Sequence, residues 1–232
     1  MFRRQHHQNI ASILECLDAD LLAHHRCYFG GGTAIVLRRH EYRESADIDF
    51  LISDTNGYRE LRQLLTGADG INSIAREELT SVRDIRADQY GIRTVLSSGG
   101  SSVKFEIIHE GRISLDPPTY ADVACGVVTL SEVDMAASKL LANADRWADS
   151  SAQYRDIIDL AMLQASTATF DAALHKSERA YGTSVVGCLV SVIDFLEQNP
   201  DRLVRAIDAL KMRLPYTDVW PLIAQLRSIL AR

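Results

Sequence analysis

The sequence predicts an α+β protein in which a sheet-containing part precedes an all-helical part. In residues 1–128, short apolar runs separated by turn residues alternate with segments of helical spacing, which is typical of strands that alternate with helices. From residue 129 onward, apolar residues recur almost entirely at helical spacing. We therefore expect two domains, 1–128 and 129–232.

The elements of the first domain follow from local patterns. Apolar spacing predicts helices over residues 3–26, 33–39 and 58–65, with a turn at 54–57. Short apolar or alternating runs predict strands at 27–29, 48–52, 103–109 and 127–130. The Ser- and Gly-rich residues 97–102 indicate a hairpin before the third of these strands. The pattern of residues 71–95 is ambiguous and favours short extended pieces.

The second domain is predicted to consist of helices. Ser131 can cap the first helix, and Glu132 and Asp134 lie in its first turn, where negative charge is favourable. A glycine and two prolines separate the later helices. The predicted helices are 132–148, 153–165, 170–181, 184–198, 201–212 and 219–231.

Composition indicates a soluble, cytoplasmic protein. No apolar run approaches the roughly 20 residues that span a bilayer, and the N-terminus lacks the apolar core of a secretory signal. The four cysteines are scattered, without the spacing of a zinc or disulfide framework. A net charge of −6 argues against indiscriminate nucleic-acid binding. A local basic rim of Arg38, Arg39 and Arg43 suits phosphate, although a solvated helix face explains these residues equally well.

Residues 28–54 carry the most informative pattern, a glycine turn before a helix and then Asp47-Ile48-Asp49. In a strand, residues two apart point to one face, so the two aspartates present their carboxylates side by side. Hard divalent cations such as Mg²⁺ prefer these ligands. Glycines let backbone N–H groups approach phosphate closely. The combination indicates transfer of a nucleotidyl group from a nucleoside triphosphate (NTP).

These residues resemble the first motif of the nucleotidyltransferase superfamily and, within it, of the AbiEii/AbiGii toxin family. The matching residues are Gly31-Gly32-Thr33-Ala34, His40, Arg43, Ser45 and Asp47-Ile48-Asp49-Phe50. A downstream helical motif is similar in Lys139-Leu140-Leu141-Ala142, Arg146 and Arg155-Asp156-Ile157-Ile158-Asp159-Leu160. The resemblance covers roughly residues 28–163 and implies a mixed β-sheet with flanking helices, followed by a helical lobe.

The resemblance also implies an activity. It implies an enzyme with two Mg²⁺ ions that transfers a nucleoside monophosphate from an NTP to an acceptor hydroxyl. In this family the acceptor can be the 3′ end of a tRNA, and the gene usually sits beside an antitoxin. We therefore expect an NTP, a tRNA or other RNA, and a cognate antitoxin as partners, and no membrane.

Asp47, Asp49 and Glu106 are the metal ligands and catalytic carboxylates that the resemblance implies. Glu106 is a lone acid in an apolar strand, and a buried carboxylate without a partner is costly. Glu106 is therefore either the third metal ligand or an edge-strand acid that faces water or pairs with Lys104 or Arg112.

The nucleotide is expected at the glycine turn. Gly31, Gly32 and Thr33 would contact the triphosphate through backbone N–H groups and the threonine hydroxyl. Alternatively, the turn needs glycine for its geometry alone. Ser45 faces the same side as Asp47 if the strand extends back that far, and is either a phosphate contact or a turn residue.

The downstream motif implies catalytic roles for Lys139 and Asp159 and a nucleotide contact for Asp156, and the first motif implies a nucleotide contact for Arg43. Lys139 would neutralise triphosphate charge, unless it is an ordinary surface lysine. Asp156 and Asp159 lie on roughly one helix face. They either orient a cation and contact the nucleotide, or form helix–helix salt bridges.

The favoured function is an AbiEii-type nucleotidyltransferase toxin. A nucleotidyltransferase of a small molecule such as an aminoglycoside shares the first motif, and an acidic pocket would favour it. A non-catalytic nucleotide-binding regulatory module is the third hypothesis. Such modules usually lack one metal carboxylate, whereas all three candidates are present here.

Overall fold

The computed structural model describes residues 2–230. These residues form two compact units, one of residues 2–38 with Ser45–Ser131 and one of Arg39–Glu44 with residues 132–230. The short segment Arg39–Glu44 thus belongs to the second unit although its neighbours on both sides belong to the first. The predicted division into domains 1–128 and 129–232 stays a prediction.

The first unit is built on a six-stranded sheet. Its strands are β1 (Tyr28–Gly30), β2 (Asp47–Ile52), β3 (Thr80–Ser81), β4 (Arg86–Ala87), β5 (Gly91–Ser98) and β6 (Ser101–His109). Their order is β1-β2-β6-β5-β3, and β4 also pairs with β5. Strands β2 and β6 run parallel, whereas the other pairs are antiparallel. The predicted mixed sheet is confirmed.

Helices and a small hairpin flank this sheet. The helices are α1 (Gln5–Cys16), α2 (Ala19–His24), α3 (Gly31–Arg38) and α4 (Thr55–Leu65), with a 3₁₀ turn at Gly70–Ile74. The hairpin consists of β7 (Val123–Ala124) and β8 (Val127–Val128). The described residues place the predicted extended pieces of 71–95 in β3, β4 and the start of β5.

Two local predictions were wrong at helix starts. The single helix over 3–26 is two helices, because the side chain of Asp18 accepts a hydrogen bond from the backbone N–H of Leu21 and begins α2. The turn at 54–57 is the first turn of α4, because Asp54 accepts from the N–H of Gly57. In both cases an aspartate that also suits turns acts as a helix cap.

One face of the sheet is the core of the first unit. Phe29, Phe50 and Phe105, from three neighbouring strands, are buried, with ring centroids 5.6 and 5.8 Å apart along the row. Since side chains alternate along a strand, the residues between them point to the opposite face. That opposite face carries the candidate carboxylates.

The second unit is helical, as predicted. Its α-helices are α5 (Glu132–Arg146), α6 (Arg155–Leu163), α7 (Thr167–Tyr181), α8 (Ser184–Gln198), α9 (Pro200–Ala209) and α10 (Tyr216–Leu230), and a 3₁₀ turn lies at Ser150–Ala152. Residue 231, the predicted end of the last helix, lies outside the described residues. Within residues 2–230 no single helix is long and apolar enough to cross a membrane, and only the bent pair α7 and α8, taken together, meets the same criterion.

Candidate active site

The register of β2 and β6 places the three candidate carboxylates on one sheet face. Asp49 lies beside Glu106, and Asp47 lies beside Lys104. Side chains at paired positions of neighbouring strands point to the same side of a sheet. Asp47, Asp49 and Glu106 are all half-buried there. The tertiary structure therefore brings together, from positions far apart in sequence, the residues predicted to hold metal.

Glu106 already has two cationic partners. Its Oε2 lies 2.7 Å from Nζ of Lys104, and its Oε1 lies 2.9 Å from Nε of Arg93. Arg112, the other partner considered for Glu106, instead contacts Glu110 at 2.7 Å. A cation thus engages each carboxylate oxygen of Glu106, and because β6 lies between β2 and β5, the expectation of an edge-strand acid was wrong.

The same cations shape the electrostatics of the sheet face. Partial burial by itself would lower the pKa of Lys104, but the hydrogen bond to Glu106 and the nearby negative charges outweigh it. The charges of Asp47 and Asp49 contribute to this effect, so the pKa of Lys104 is raised. Lys104 therefore stays positively charged at neutral pH and offsets charge on all three carboxylates.

The donor set suits a hard divalent cation in part. Asp47 and Asp49 offer adjacent carboxylate oxygens, the ligand type that Mg²⁺ prefers. Across residues 2–230, however, no group of three or more His, Cys, Asp and Glu side chains is arranged to hold a metal ion. The role of Glu106 as a third ligand stays a prediction, and its carboxylate would have to leave Lys104 and Arg93 to bind a metal.

The glycine turn packs directly on Asp49. Gly31 begins α3 with a φ of +67°, and a Cβ added there would lie 2.4 Å from Oδ2 of Asp49. Gly30 pairs with Asp49 across β1 and β2. The N-terminus of an eight-residue helix and one candidate metal ligand are therefore in contact, and helix N-termini favour anions such as phosphate.

Thr33 and Ser45 are joined within the same unit. The Thr33 hydroxyl donates a 2.8 Å hydrogen bond to Oγ of Ser45. The backbone N–H of Ser45 donates to Nε2 of His7 at 3.2 Å, and His7 is fully buried. Sequence patterns gave no sign of His7, because its contact with Ser45 joins residues 38 positions apart. The predicted phosphate contacts of Thr33 and Ser45 stay predictions.

The predicted site residues of the second unit form a buried ion network. Arg43 holds Asp159 with two hydrogen bonds, Nε to Oδ1 at 2.7 Å and Nη2 to Oδ2 at 2.8 Å. Nζ of Lys139 bridges the two aspartates, 2.7 Å from Asp159 and 3.0 Å from Asp156. Arg146 completes the network with a 2.6 Å contact to Asp156. The network connects α5, α6 and the segment Arg39–Glu44.

Ionisation in this network is set by pairing. Burial alone would raise the pKa of Asp159, but the charges of Arg43 and Lys139 lower it below its usual range. Burial would also raise the pKa of Asp156, but Lys139 and Arg146 lower it below its usual range. The hydroxyl of Tyr42 also donates to Asp159, at 2.5 Å, and burial raises the pKa of this phenol. Both aspartates are therefore charged at neutral pH.

This burial bears on the roles predicted from sequence. Lys139 is 6% exposed and Arg43 is 3% exposed, so Lys139 is not an ordinary surface lysine. Asp156 and Asp159 do form salt bridges between helices, one of the two arrangements expected for them. The catalytic roles of Lys139 and Asp159, and nucleotide contacts by Arg43 and Asp156, stay predictions.

The arginines expected to form a basic rim are each paired with a carboxylate. Arg38 also donates to the hydroxyl of Thr129 at 2.8 Å. The partners of Arg38, Arg39 and Arg43 are Asp122, Glu132 and Asp159, respectively. Protein carboxylates thus engage all three guanidinium groups, and phosphate binding by these arginines stays a prediction.

Comparison with solved structures shows a shared fold. No curated protein matches the sequence. Two solved structures from Helicobacter pylori share the fold at 17% identity. The first, of a proposed nucleotidyltransferase, has a TM-score of 0.51 and matches 95% of this chain and 92% of that one. The second, of JHP933, has a TM-score of 0.52, with 97% and 93% matched.

The family match covers most of the chain. The family described as the nucleotidyl transferase AbiEii toxin of type IV toxin–antitoxin systems matches residues 12–218. This range includes the glycine turn, the aspartate pair of β2, Glu106 of β6 and the ion network of the second unit. The chain therefore belongs to the AbiEii nucleotidyltransferase toxin family.

Proposed function

We propose that the protein is a Mg²⁺-dependent nucleotidyltransferase that transfers a nucleoside monophosphate from an NTP to an acceptor hydroxyl. The observation that carries this proposal is the contact of the glycine turn with Asp49, on the sheet face that also bears Asp47 and Glu106. An anion-binding helix start and oxygen ligands for a divalent cation adjoin each other there. Membership in the AbiEii family supports the same reaction class.

Each residue of this site has a proposed task. Backbone N–H groups of Gly31 and Gly32 bind the triphosphate. Thr33 is buried and donates its hydroxyl hydrogen to Ser45, so it must release Ser45 before it can donate to a phosphate oxygen. Asp47, Asp49 and Glu106 hold Mg²⁺. When bound, Mg²⁺ supplies Lewis-acid stabilisation of charge on the reacting phosphate. These residues would place the α-phosphate beside the acceptor hydroxyl, so that the new phosphoester bond forms as the bond to the leaving pyrophosphate breaks.

The ion network has a different proposed task. Lys139 and Asp159 are saturated with charged partners inside the second unit. We propose that they act as positioning residues for Arg43 and Tyr42, in the segment Arg39–Glu44 that precedes β2 in the chain. Asp156 supports Lys139 in this task.

The acceptor and partner proposals rest on the family. We propose an RNA acceptor, such as the 3′ end of a tRNA, and a cognate antitoxin as the regulatory partner, because the family belongs to type IV toxin–antitoxin systems. One observation favours a second candidate, a non-catalytic nucleotide-binding module. Lys104 and Arg93 engage both oxygens of Glu106, so a metal would have to displace these cations to gain Glu106 as its third carboxylate.

A transfer assay tests the proposal. Total RNA is incubated with Mg²⁺ and each α-³²P-labelled NTP in turn, using the wild type, Asp47→Asn and the control Asp69→Asn. Asp69 is an aspartate whose side chain caps no helix. We expect label on RNA with the wild type and control, and a loss of about 10³-fold or more with Asp47→Asn at unchanged circular dichroism, since a charge-stabilising group is removed.

The opposite outcomes are equally informative. Full transfer by Asp47→Asn would show that the carboxylate pair is not the catalytic centre. Tight NTP binding by calorimetry, without transfer to RNA or to an aminoglycoside, would favour the non-catalytic module.

A further inference from the structure

A large cavity in the first unit adjoins Asp47 and collects basic side chains. Its volume is about 820 Å³, within the range of small-ligand sites. Two carboxylates, Asp47 and Asp84, also line it. Its basic side chains are Arg83, Arg86, Arg93 and Lys104. None of these four residues is among the predicted catalytic, nucleotide-binding or metal-binding residues.

Strand pairing explains how Arg86 and Arg93 reach the sheet face that carries Glu106 and Asp49. Arg86 of β4 pairs with Arg93 of β5, and Arg93 pairs with Glu106 of β6. Glu106 in turn pairs with Asp49 of β2. These four residues form a row across the sheet. At about 4.8 Å between strands, the row spans about 14 Å from Asp49 to Arg86.

The row has two chemically different ends. Beyond Asp49, the next strand is β1 with Gly30, where the glycine turn begins. In the opposite direction the row leads to Arg93 and Arg86. The candidate triphosphate site and the arginines therefore lie on opposite sides of the aspartate pair, as donor and acceptor sites must for an in-line transfer between them.

The arginines differ in how far protein carboxylates already neutralise them. Arg93 pairs with Glu106 and also with Asp88 at 3.2 Å. Arg83 and Arg86 are exposed, and among the described residues neither takes part in an ion pair within 4.0 Å. Two guanidinium groups are therefore available to an external anion.

We propose that this cavity binds the phosphodiester backbone of a nucleic-acid acceptor, with Arg83 and Arg86 as the principal contacts. Guanidinium groups bind phosphate oxygens in a bidentate manner and keep their charge at any physiological pH. A cationic small molecule such as an aminoglycoside would be repelled by the same side chains. The inference rests on the proposed function and assigns the place where the acceptor's backbone phosphates bind beside Asp47.

Direct RNA binding tests the assignment. The probe is a fluorescein-labelled 20-nucleotide single-stranded RNA, titrated with the full-length protein in EDTA without NTP and followed by anisotropy. For Arg83→Ala/Arg86→Ala we expect affinity to fall about 10-fold or more at 50 mM salt. The slope of log K against log salt should become shallower by about 1.4, since each phosphate contact on a single strand contributes about 0.7.

A matched double variant controls for general charge. Arg59→Ala/Arg62→Ala removes two exposed arginines of α4 in the same unit, and we expect it to bind RNA like the wild type. An equal loss in both double variants, or no loss in Arg83→Ala/Arg86→Ala, would overturn the proposal. Circular dichroism confirms that each variant is folded.

NTP binding shows whether the cavity binds the phosphates of the acceptor RNA or those of the donor NTP. Calorimetry with NTP and Mg²⁺ should give the same dissociation constant for the wild type and Arg83→Ala/Arg86→Ala within about twofold. A loss of NTP affinity with RNA affinity intact would assign the cavity to the donor and overturn the acceptor assignment.

The two proposals fail in different ways. RNA binding that depends on Arg83 and Arg86, without any nucleotidyl transfer, would overturn the proposed function and leave the cavity assignment standing. If transfer to RNA requires Asp47 but is unchanged in Arg83→Ala/Arg86→Ala, the cavity assignment is overturned and the proposed function stands.

Discussion

Gly31 and Asp49 are in direct contact: a Cβ on Gly31 would lie 2.4 Å from Oδ2 of Asp49. The φ of +67° at Gly31 also disfavours any L side chain. Two independent constraints thus require glycine at the start of α3. This contact makes the helix start and the aspartate pair a single structural feature, although 17 residues separate Gly31 from Asp49 in sequence.

Replacing Gly31 with alanine should disrupt the site more than the fold. We expect Gly31→Ala to reduce transfer at least tenfold, because Asp49 must move, and to cost about 1–3 kcal/mol in free energy of unfolding. Gly126→Ala is the control, since Gly126 has a φ of +79° and nothing within 4 Å of an added Cβ. Rates and urea denaturation are measured for both. Equal losses of transfer activity in Gly31→Ala and Gly126→Ala would mean that backbone strain, and not the contact with Asp49, causes the loss.

Removing Lys104 should strengthen divalent-cation binding. Lys104 offsets the charge of Glu106, Asp47 and Asp49, so Lys104→Met should bind Mn²⁺ several-fold more tightly, an effect of about 1 kcal/mol at a half-exposed site. Calorimetry without nucleotide measures this. Lys211→Met removes another exposed lysine that contacts a glutamate, Glu44, and should leave the affinity unchanged. Weaker Mn²⁺ binding by Lys104→Met would argue against a metal at these carboxylates.

Breaking the ion network should destabilise the protein. Asp159→Asn leaves Arg43 and Lys139 short of a buried counter-charge, so we expect a loss of about 3–5 kcal/mol. Tyr42→Phe removes only the hydrogen bond to Asp159 and should cost about 1 kcal/mol. Urea denaturation gives both values. If Asp159→Asn lowers the free energy of unfolding less than Tyr42→Phe does, the ion pairs of Asp159 do not stabilise the fold as proposed.

The positioning role of the network has its own test. Asp159→Asn should reduce kcat with KM for NTP nearly unchanged, because Asp159 is proposed to act through Arg43 and not on the nucleotide. Conversely, Asp159→Glu should restore part of kcat by keeping the charge. A large rise in KM for NTP, with kcat unchanged, would instead support direct nucleotide binding.

Stability should fall in acid because of the same network. The folded-state pKa values of Asp156 and Asp159 are lowered by their cationic partners. Their contribution is therefore complete above the unfolded-state pKa of about 3.9 and is lost as pH falls below it. Urea midpoints from pH 7 to pH 2 should decline below about pH 4.

Asp156→Asn provides the comparison for that decline. It should be less stable than the wild type at pH 7, yet lose less stability between pH 4 and pH 2 because one of the two titrating groups is gone. An acid decline identical to that of the wild type would show that other carboxylates control it.

Local chemistry made much of the first unit predictable. The alternation that buries Phe50 and leaves Asp47 and Asp49 half-buried on the opposite face is a property of β2 alone. The mixed sheet and the helical second unit followed from periodicity and family motifs. Helix starts were less predictable. The side chains of Asp18 and Asp54 are equally suited to turns and to helix caps, so only the observed backbone shows which of the two each one makes.

By itself, the sequence determined which residue types are available: a glycine turn, paired carboxylates and an acid in an apolar strand. Only the tertiary structure decided their partners. Tertiary packing puts Glu106 beside Asp49 through the parallel pairing of β2 with β6, and Arg93 beside Glu106 through the antiparallel pairing of β5 with β6. It also buries Lys139 and gathers Arg83 and Arg86 at a cavity. The physical reason is that strand register and burial depend on long-range packing, whereas periodicity and turn chemistry depend on neighbours in the chain.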